Sequence, residues 1–401
     1  MNITSKRFYL ALLLIIPTAL PMNLRPEAAP TFPLPLGEGG PKGQVRERPP
    51  GPGVQFVATA RPGGLSPVLA QTNRNTPAIT DIALYQGADR QQRLVDGAKK
   101  ERELNLYSSL TVEDLAAIAA GFEKKYGIKV KYWRASSEKV VQRIVTEAQG
   151  GRFDFDVVET NGPEMESLHR EKLLQEIKSP YQSDLLPQAI MPHKEWVGTR
   201  LNMFVHIYNT NLVKKEELPN TYQDLLDPRW KGRLGIEAED FDWFAGVVQE
   251  LGEEKALKLF RDIVATNGLS VRKGHTLLAG LVASGEVPLA LTVYRHNAEK
   301  LKKKGAPVDW YAIPPAITRA NGMGASRNPP HPNAAVLFYD YMISDGQELL
   351  FKGENLPSSK KIDTGLSKLQ LKFVDPKVIL DESNKWEKLY AEIITKQSKL
   401  K

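Results

Sequence analysis

Residues 104–133 read LNLYSSLTVEDLAAIAAGFEKKYGIKVKYW, and the fold class follows from this stretch. Leu104 to Tyr107 alternates apolar and polar side chains with the two-residue period of a strand. Thr111 and Asp114 have the spacing of a capping box that opens a helix. Leu115, Ile118, Ala119, Phe122 and Tyr126 then recur at helical spacing and make one apolar face. Gly127 stops that helix as a left-handed cap would. Ile128 to Trp133 reads as a second strand.

The same alternation continues outward. Ser136 and Ser137 cap a helix that runs through Ala148 and ends at Gly150-Gly151. Residues 153–159 read as a third strand, and Pro163 marks the start of the next helix. Upstream, residues 84–103 read as one helix with Leu94, Val95 and Ala98 on one face. Strands alternating with helices of about a dozen residues imply parallel pairing through right-handed crossovers, hence an α/β sheet. A second α/β stretch follows. Its strands are expected at 201–208, 232–238, 287–294 and 308–313. Its helices are expected near 241–251, 253–266, 275–284, 333–343 and 383–398. No repeat of 20–50 residues is present.

The chain has 401 residues and no cysteine, which excludes disulfides, thiolate catalysis and Cys-ligated metal sites. Its net charge of +7 is concentrated in the first 70 residues, so the balance does not point to nucleic acid. Lys6-Arg7 followed by Phe8 to Ile16 reads as the basic and apolar parts of an export signal (residues 1–16). Residues 17–75 are rich in Pro and Gly and are expected to be disordered or removed. Val68-Leu69-Ala70 before Gln71 is a candidate cleavage site.

Catalytic motifs are missing. The sequence contains no Gly-x-Ser-x-Gly, no Walker A loop and no His-Glu-x-x-His. The Gly322-Met-Gly-Ala-Ser-Arg327 stretch lacks the third glycine of a dinucleotide fingerprint and is expected to be a turn. The six histidines lack metal-ligand spacing among themselves. Lys300 to Lys304 reads as a solvated helix end. Asp240 and Asp242 are as consistent with loop solvation as with acid–base work.

Several phrases share one order and spacing with a known family: FEKKYGIKV (122–130), FDVV (155–158), VHIYNT (205–210), LLDPRWKGR (225–233), SGEVPLA (284–290) and PHPNAA (330–335). From about residue 95 to 360 the chain resembles bacterial extracellular solute-binding proteins of ABC importers, in their ferric-binding-like branch. The resemblance implies a two-lobed type II periplasmic-binding fold with ligand in the cleft between α/β lobes. It implies lobe 1 at 76–205 plus 311–364 and lobe 2 at 206–310 plus 365–401. Crossovers near 205–210 and 308–314 would serve as the hinge. A periplasmic location, an inner-membrane permease as partner, a monomeric state and no cofactor also follow from it.

Iron-binding members use a histidine after the first strand, a glutamate after the third and a tyrosine pair before the second crossover. Here those places hold Tyr107-Ser108-Ser109-Leu110, Asn161 (or Glu159 after a shift of two) and Tyr294-Arg295. An arginine cannot ligate a metal. Ser108, Ser109, Thr160, Asn161, Tyr294 and Arg295 are therefore the expected cradle of an anion, a carboxylate, phosphonate, sulfonate or anionic metal chelate. Asp240, Trp243 and His275 are added from the second stretch, because the loop 237–243 follows a strand where this fold places ligand contacts. Two alternatives remain: an atypical ferric site using Tyr294 and Glu159, and an enzyme on the same fold using His275 or Asp240.

Overall fold

In the computed structural model the described residues are 79–365 and 368–396; the expected export signal and the 17–75 segment lie outside them. The principal strands are β1 (Glu103–Ser108), β2 (Lys129–Arg134), β3 (Val157–Asn161), β4 (Val197–Asn209), β5 (Leu234–Glu237), β6 (Ser270–Arg272), β7 (Leu289–Tyr294), β8 (Val308–Tyr311) and β9 (Ala316–Ser326). They follow the order β2-β1-β3-β9-β4-β7-β5-β6, with β8 pairing β4 off that path. β1, β2 and β3 are parallel, as the strand–helix alternation requires. β5 is parallel to β6 and β7 in the second half. The first half of β4 pairs antiparallel with β9, and its second half with β7 and β8. β4 therefore belongs to both half-sheets.

The local signals have structural counterparts. Thr111 Oγ1 accepts the Asp114 N–H at 3.3 Å and donates to Asp114 Oδ2 at 2.8 Å, opening the helix Val112–Tyr126. Gly127 closes it at φ +72° and donates its N–H to Glu123 O. Leu115, Ile118, Ala119 and Phe122 are buried in a core with Phe338 and Tyr341. A second core, around Trp230, Phe244, Phe260 and Trp386, backs the second half-sheet. The LLDPRWKGR phrase is a turn with built-in stops. Asp227 accepts the Arg229 N–H at 2.9 Å, Trp230 is buried, and Gly232 at φ +71° donates to Asn267 O at 2.8 Å.

Three expectations are corrected. The Gly322–Arg327 stretch is no turn: its first five residues form the end of β9. A Cβ at Gly322 would lie 2.4 Å from the Trp196 ring, and one at Gly324 would lie 2.8 Å from the Glu195 carbonyl oxygen. Close backbone approach, rather than chain reversal, requires these glycines. The expected 84–103 helix is confined to Arg90–Glu101, preceded by a separate turn of helix at Ile79–Ala83. The final helix is regular over Ser383–Tyr390 and then widens over Ala391–Lys396.

Candidate functional site

The carboxyl ends of β1, β2, β3, β5 and β7 all lead into turns or helices around one cleft of about 350 Å³. This is where an open α/β sheet places a ligand. Six helices begin in cleft-lining residues: Val112–Tyr126, Ser137–Gln149, Gly162–Arg170, Phe241–Leu251, His275–Ser284 and Arg295–Lys303. Thr111 caps the first, and in the other five the N-cap side chain accepts no helix N–H. Helix starts of this kind carry partial positive charge.

Of the residues selected from sequence, Ser109, Asn161, Tyr294, Asp240 and His275 line the cleft. Ser108, Thr160, Trp243 and Arg295 do not. Ser108 pairs in register with Glu159, to whose Oε2 its hydroxyl donates at 2.9 Å inside the sheet. Thr160 is wholly buried, because successive strand residues face opposite sides and its neighbour Asn161 takes the cleft side. Trp243 packs edge-on against Tyr222 and Phe260 in the second core. Arg295 is the first residue of a helix and swings away from Tyr294 toward Glu299 (3.4 Å) and the face of Trp310. Of the two residues of the ferric alternative, Tyr294 lines the cleft and Glu159 does not. Glu159 sits beneath the cleft, held by Ser108 and by Arg200 at 3.3 Å, while Tyr294 lies on its surface.

The second half-sheet supplies a polar cluster. Asp240 Oδ1 lies 3.3 Å from His275 Nε2, and the His275 ring centroid is 3.7 Å from that of Tyr294. Burial opposes a charged His275, but the Asp240 carboxylate outweighs it and raises the imidazole pKa. Glu237 Oε1 accepts the Gly274 N–H at 2.8 Å and its Oε2 accepts the Glu239 N–H at 2.5 Å. Burial, together with the negative charge of Asp240, pushes Glu237 up to about 6. Burial also holds the Tyr294 phenol protonated. Its oxygen accepts from Arg319, whose guanidinium also pairs with Asp242. His275 Nδ1 has no hydrogen-bond partner among the described residues.

The cleft as a whole carries more acids than cations. The cleft lining includes Asp114, Glu138, Glu164, Glu237, Glu239, Asp240 and Asp242 against Arg134, Arg200, Lys273 and Arg319. Comparison at the iron-ligand positions alone misses these acids, which come from the 237–242 turn and from the first turns of helices. Most of the cations are matched: Arg319 with Asp242, Arg200 with Glu159, Lys273 with Glu239 at 2.5 Å. Arg134 is the exception. Its Nε donates to Leu110 O at 3.0 Å, and it has no acidic partner among the described residues.

Glu164 gives a pH-dependent expectation. Burial raises its pKa to about 7, against the pull of Arg319, with Glu138 and Asp242 adding to the rise. An acid raised in the folded state contributes stability below its unfolded value, near 4.5, that is lost as pH climbs through 7. The rise from 4.5 to about 7 makes the loss about 3–3.5 kcal/mol at 1.36 kcal/mol per pKa unit. Glu164→Gln is expected to flatten that part of the stability–pH curve in urea titrations. An unchanged difference between pH 5 and pH 8 would contradict the assignment.

Residues 108–349 match the family described as Bacterial extracellular solute-binding protein. The chain belongs to that family. Over 279 residues this solute-binding protein is 26% identical to Iron uptake protein A1 of Synechocystis sp., covering 65% of this chain and 77% of the relative. It is 25% identical over 240 residues to the Fe(3+)-binding periplasmic protein of Serratia marcescens, covering 57% and 70%. Iron-bound HitA from Pseudomonas aeruginosa superposes with a TM-score of 0.65 at 23% identity, covering 73% of this chain and 99% of HitA. AfuA from Actinobacillus pleuropneumoniae, with fructose-6-phosphate bound, gives 0.64 at 22% identity, covering 73% and 98%. The solved neighbours are two-lobed periplasmic binding proteins, the fold expected from the sequence phrases.

Sequence reasoning missed Arg134, Arg200, Glu237 and Arg319 in this solute-binding protein. Two of them carried a usable signal. Arg134 ends β2 directly before the Ser136-Ser137 helix start. Arg319 interrupts the apolar run of β9, a costly place for a charge unless something pairs with it.

Proposed function

We propose that this solute-binding protein is the periplasmic receptor of an ABC importer, delivering its solute to an inner-membrane permease. Its ligand presents an acidic group (carboxylate, phosphonate, sulfonate or anionic metal chelate) to Ser109, Arg134, Ser136 and Asn161 on the first lobe. The observation that carries this reading is Arg134, the cleft guanidinium without an acidic partner, set beside helix starts whose N–H groups lack side-chain caps. Arg134 takes the role the sequence gave to Arg295, which points out of the cleft. The names of the relatives, for iron uptake and periplasmic iron binding, support import as the process.

The test is a thermal-shift screen of small anions followed by calorimetry on any hit. Hydrogen bonds to a charged partner contribute about 1.5–3 kcal/mol. Arg134→Ala is thus expected to weaken the hit by roughly 10- to 150-fold, and Arg295→Ala to leave it unchanged. The absence of any anion hit, or the reverse pattern in the two variants, would overturn the reading.

A further inference from the structure

We infer that Glu237, Asp240 and His275 form a binding site for one divalent first-row metal ion, built entirely on the second lobe. This rests on the reading that the interlobe cleft holds the solute. It adds to that reading a cation held on the second half-sheet, whereas Arg134 stands on the first. One ligand atom from each of the three side chains lies within 4.8 Å of the others. Donors of a single ion, bound at about 2.0–2.2 Å, stand no more than twice that length apart, so small side-chain movements complete the sphere. Asp240 is 3% exposed, and its Oδ2 has no hydrogen-bond partner among the described residues; His275 turns Nε2 toward the Asp240 carboxylate. A buried carboxylate oxygen without a partner is costly unless a cation satisfies it.

The surroundings are those of a supported metal site. Gly274 and Glu239 N–H groups fix the Glu237 carboxylate, and the Tyr294 ring braces His275. The nearby cations do not compete, since Lys273 is matched by Glu239 and Arg319 by Asp242. One imidazole and two carboxylates suit Zn²⁺, Mn²⁺ or Fe²⁺. A hard ferric ion would want the phenolate of Tyr294, but that oxygen is held by Arg319. The stacked His169 and His193 with Glu195 are the other cluster of this kind among the described residues, and there Arg327 already shares Glu195.

The experiment uses the full chain, stripped with a chelator and titrated calorimetrically with ZnCl₂ and MnCl₂ alone. One equivalent of either ion should bind. Loss of supporting partners around a metal typically costs 10–100-fold. Loss of a ligand in Asp240→Asn or His275→Gln should therefore cost more than about 100-fold. Arg134→Ala and His193→Gln should leave metal affinity unchanged. Glu237→Gln serves as the third ligand variant should either of the first two fail to fold. The proposal is overturned by the absence of divalent binding, by binding that survives all the ligand variants, by loss in His193→Gln, or by a response to ferric citrate only. An anion hit lost in Arg134→Ala without any metal binding would remove the metal site and leave the receptor reading. Metal binding lost in Asp240→Asn without any anion hit would do the opposite.

Discussion

Arg319→Ala is expected to destabilise the folded protein by about 3–5 kcal/mol, the usual consequence of removing one partner of a buried ion pair. Arg319 stands in β9, with its side chain 12% exposed, and its guanidinium reaches both Asp242 and the Tyr294 hydroxyl. Asp242 is 2% exposed and loses its charge partner when the arginine is removed. Burial already lifts its pKa against the pull of Arg319, so truncation leaves a carboxylate that must take up a proton or stay uncompensated. The measurement is the urea midpoint at pH 7, where a loss below about 1 kcal/mol would contradict the account. The double replacement Arg319→Met with Asp242→Leu should recover most of the loss, because it removes both charges together.

Asp156→Ala should come close to this effect, on the order of 4 kcal/mol, at a site remote from the cleft lining. Asp156 is wholly buried and accepts three hydrogen bonds: from Asn105 N at 2.6 Å, from His331 N at 2.6 Å and from His331 Nδ1 at 2.8 Å. Each donor stranded in the interior costs about 1–3 kcal/mol. His331→Ala should cost less, because two backbone donors still reach the carboxylate. The Asp156 hydrogen bond raises the pKa of His331. That contribution is present in full below the ordinary histidine value and fades as pH rises through the raised one. Denaturation at pH 6 and pH 9 should show His331→Ala losing more at the lower pH. An equal loss at both would argue against a charged histidine.

The Asp156–His331 contact also shows what was legible in the chain. FDVV and PHPNAA stood out as separate phrases more than 170 residues apart, and the fold brings Asp156 of one onto His331 of the other. Caps and strand periods were readable because each is settled within a few residues, as Thr111, Asp114 and Gly127 demonstrate. Side-chain direction at the cleft was not. Tyr294 and Arg295 are neighbours, yet the first ends a strand and the second begins a helix, so they diverge. Ser108 and Ser109 part in the same way, one into the sheet and one into the cleft. The pairing of Arg319 with Asp242 joins residues 77 positions apart, and no local pattern encodes it. The acidic 237–242 turn was visible, but its weight against the cations required knowing which cations were already spoken for.

The placement of β4, β8 and β9 has a mechanical consequence. Two of the segments that link the half-sheets lie along one strand, because β8 and β9 both run antiparallel to β4. Sliding adjacent strands past one another would break their hydrogen bonds rung by rung. A change of twist bends each bond only slightly, and sheets accept a range of twist. The half-sheets are thus joined by a ribbon that is stiff to shear and compliant in torsion, so any relative movement of the two is expected to be a twist. One distance, measured between one probe on each half-sheet with and without a small anion, is the measurement that checks this.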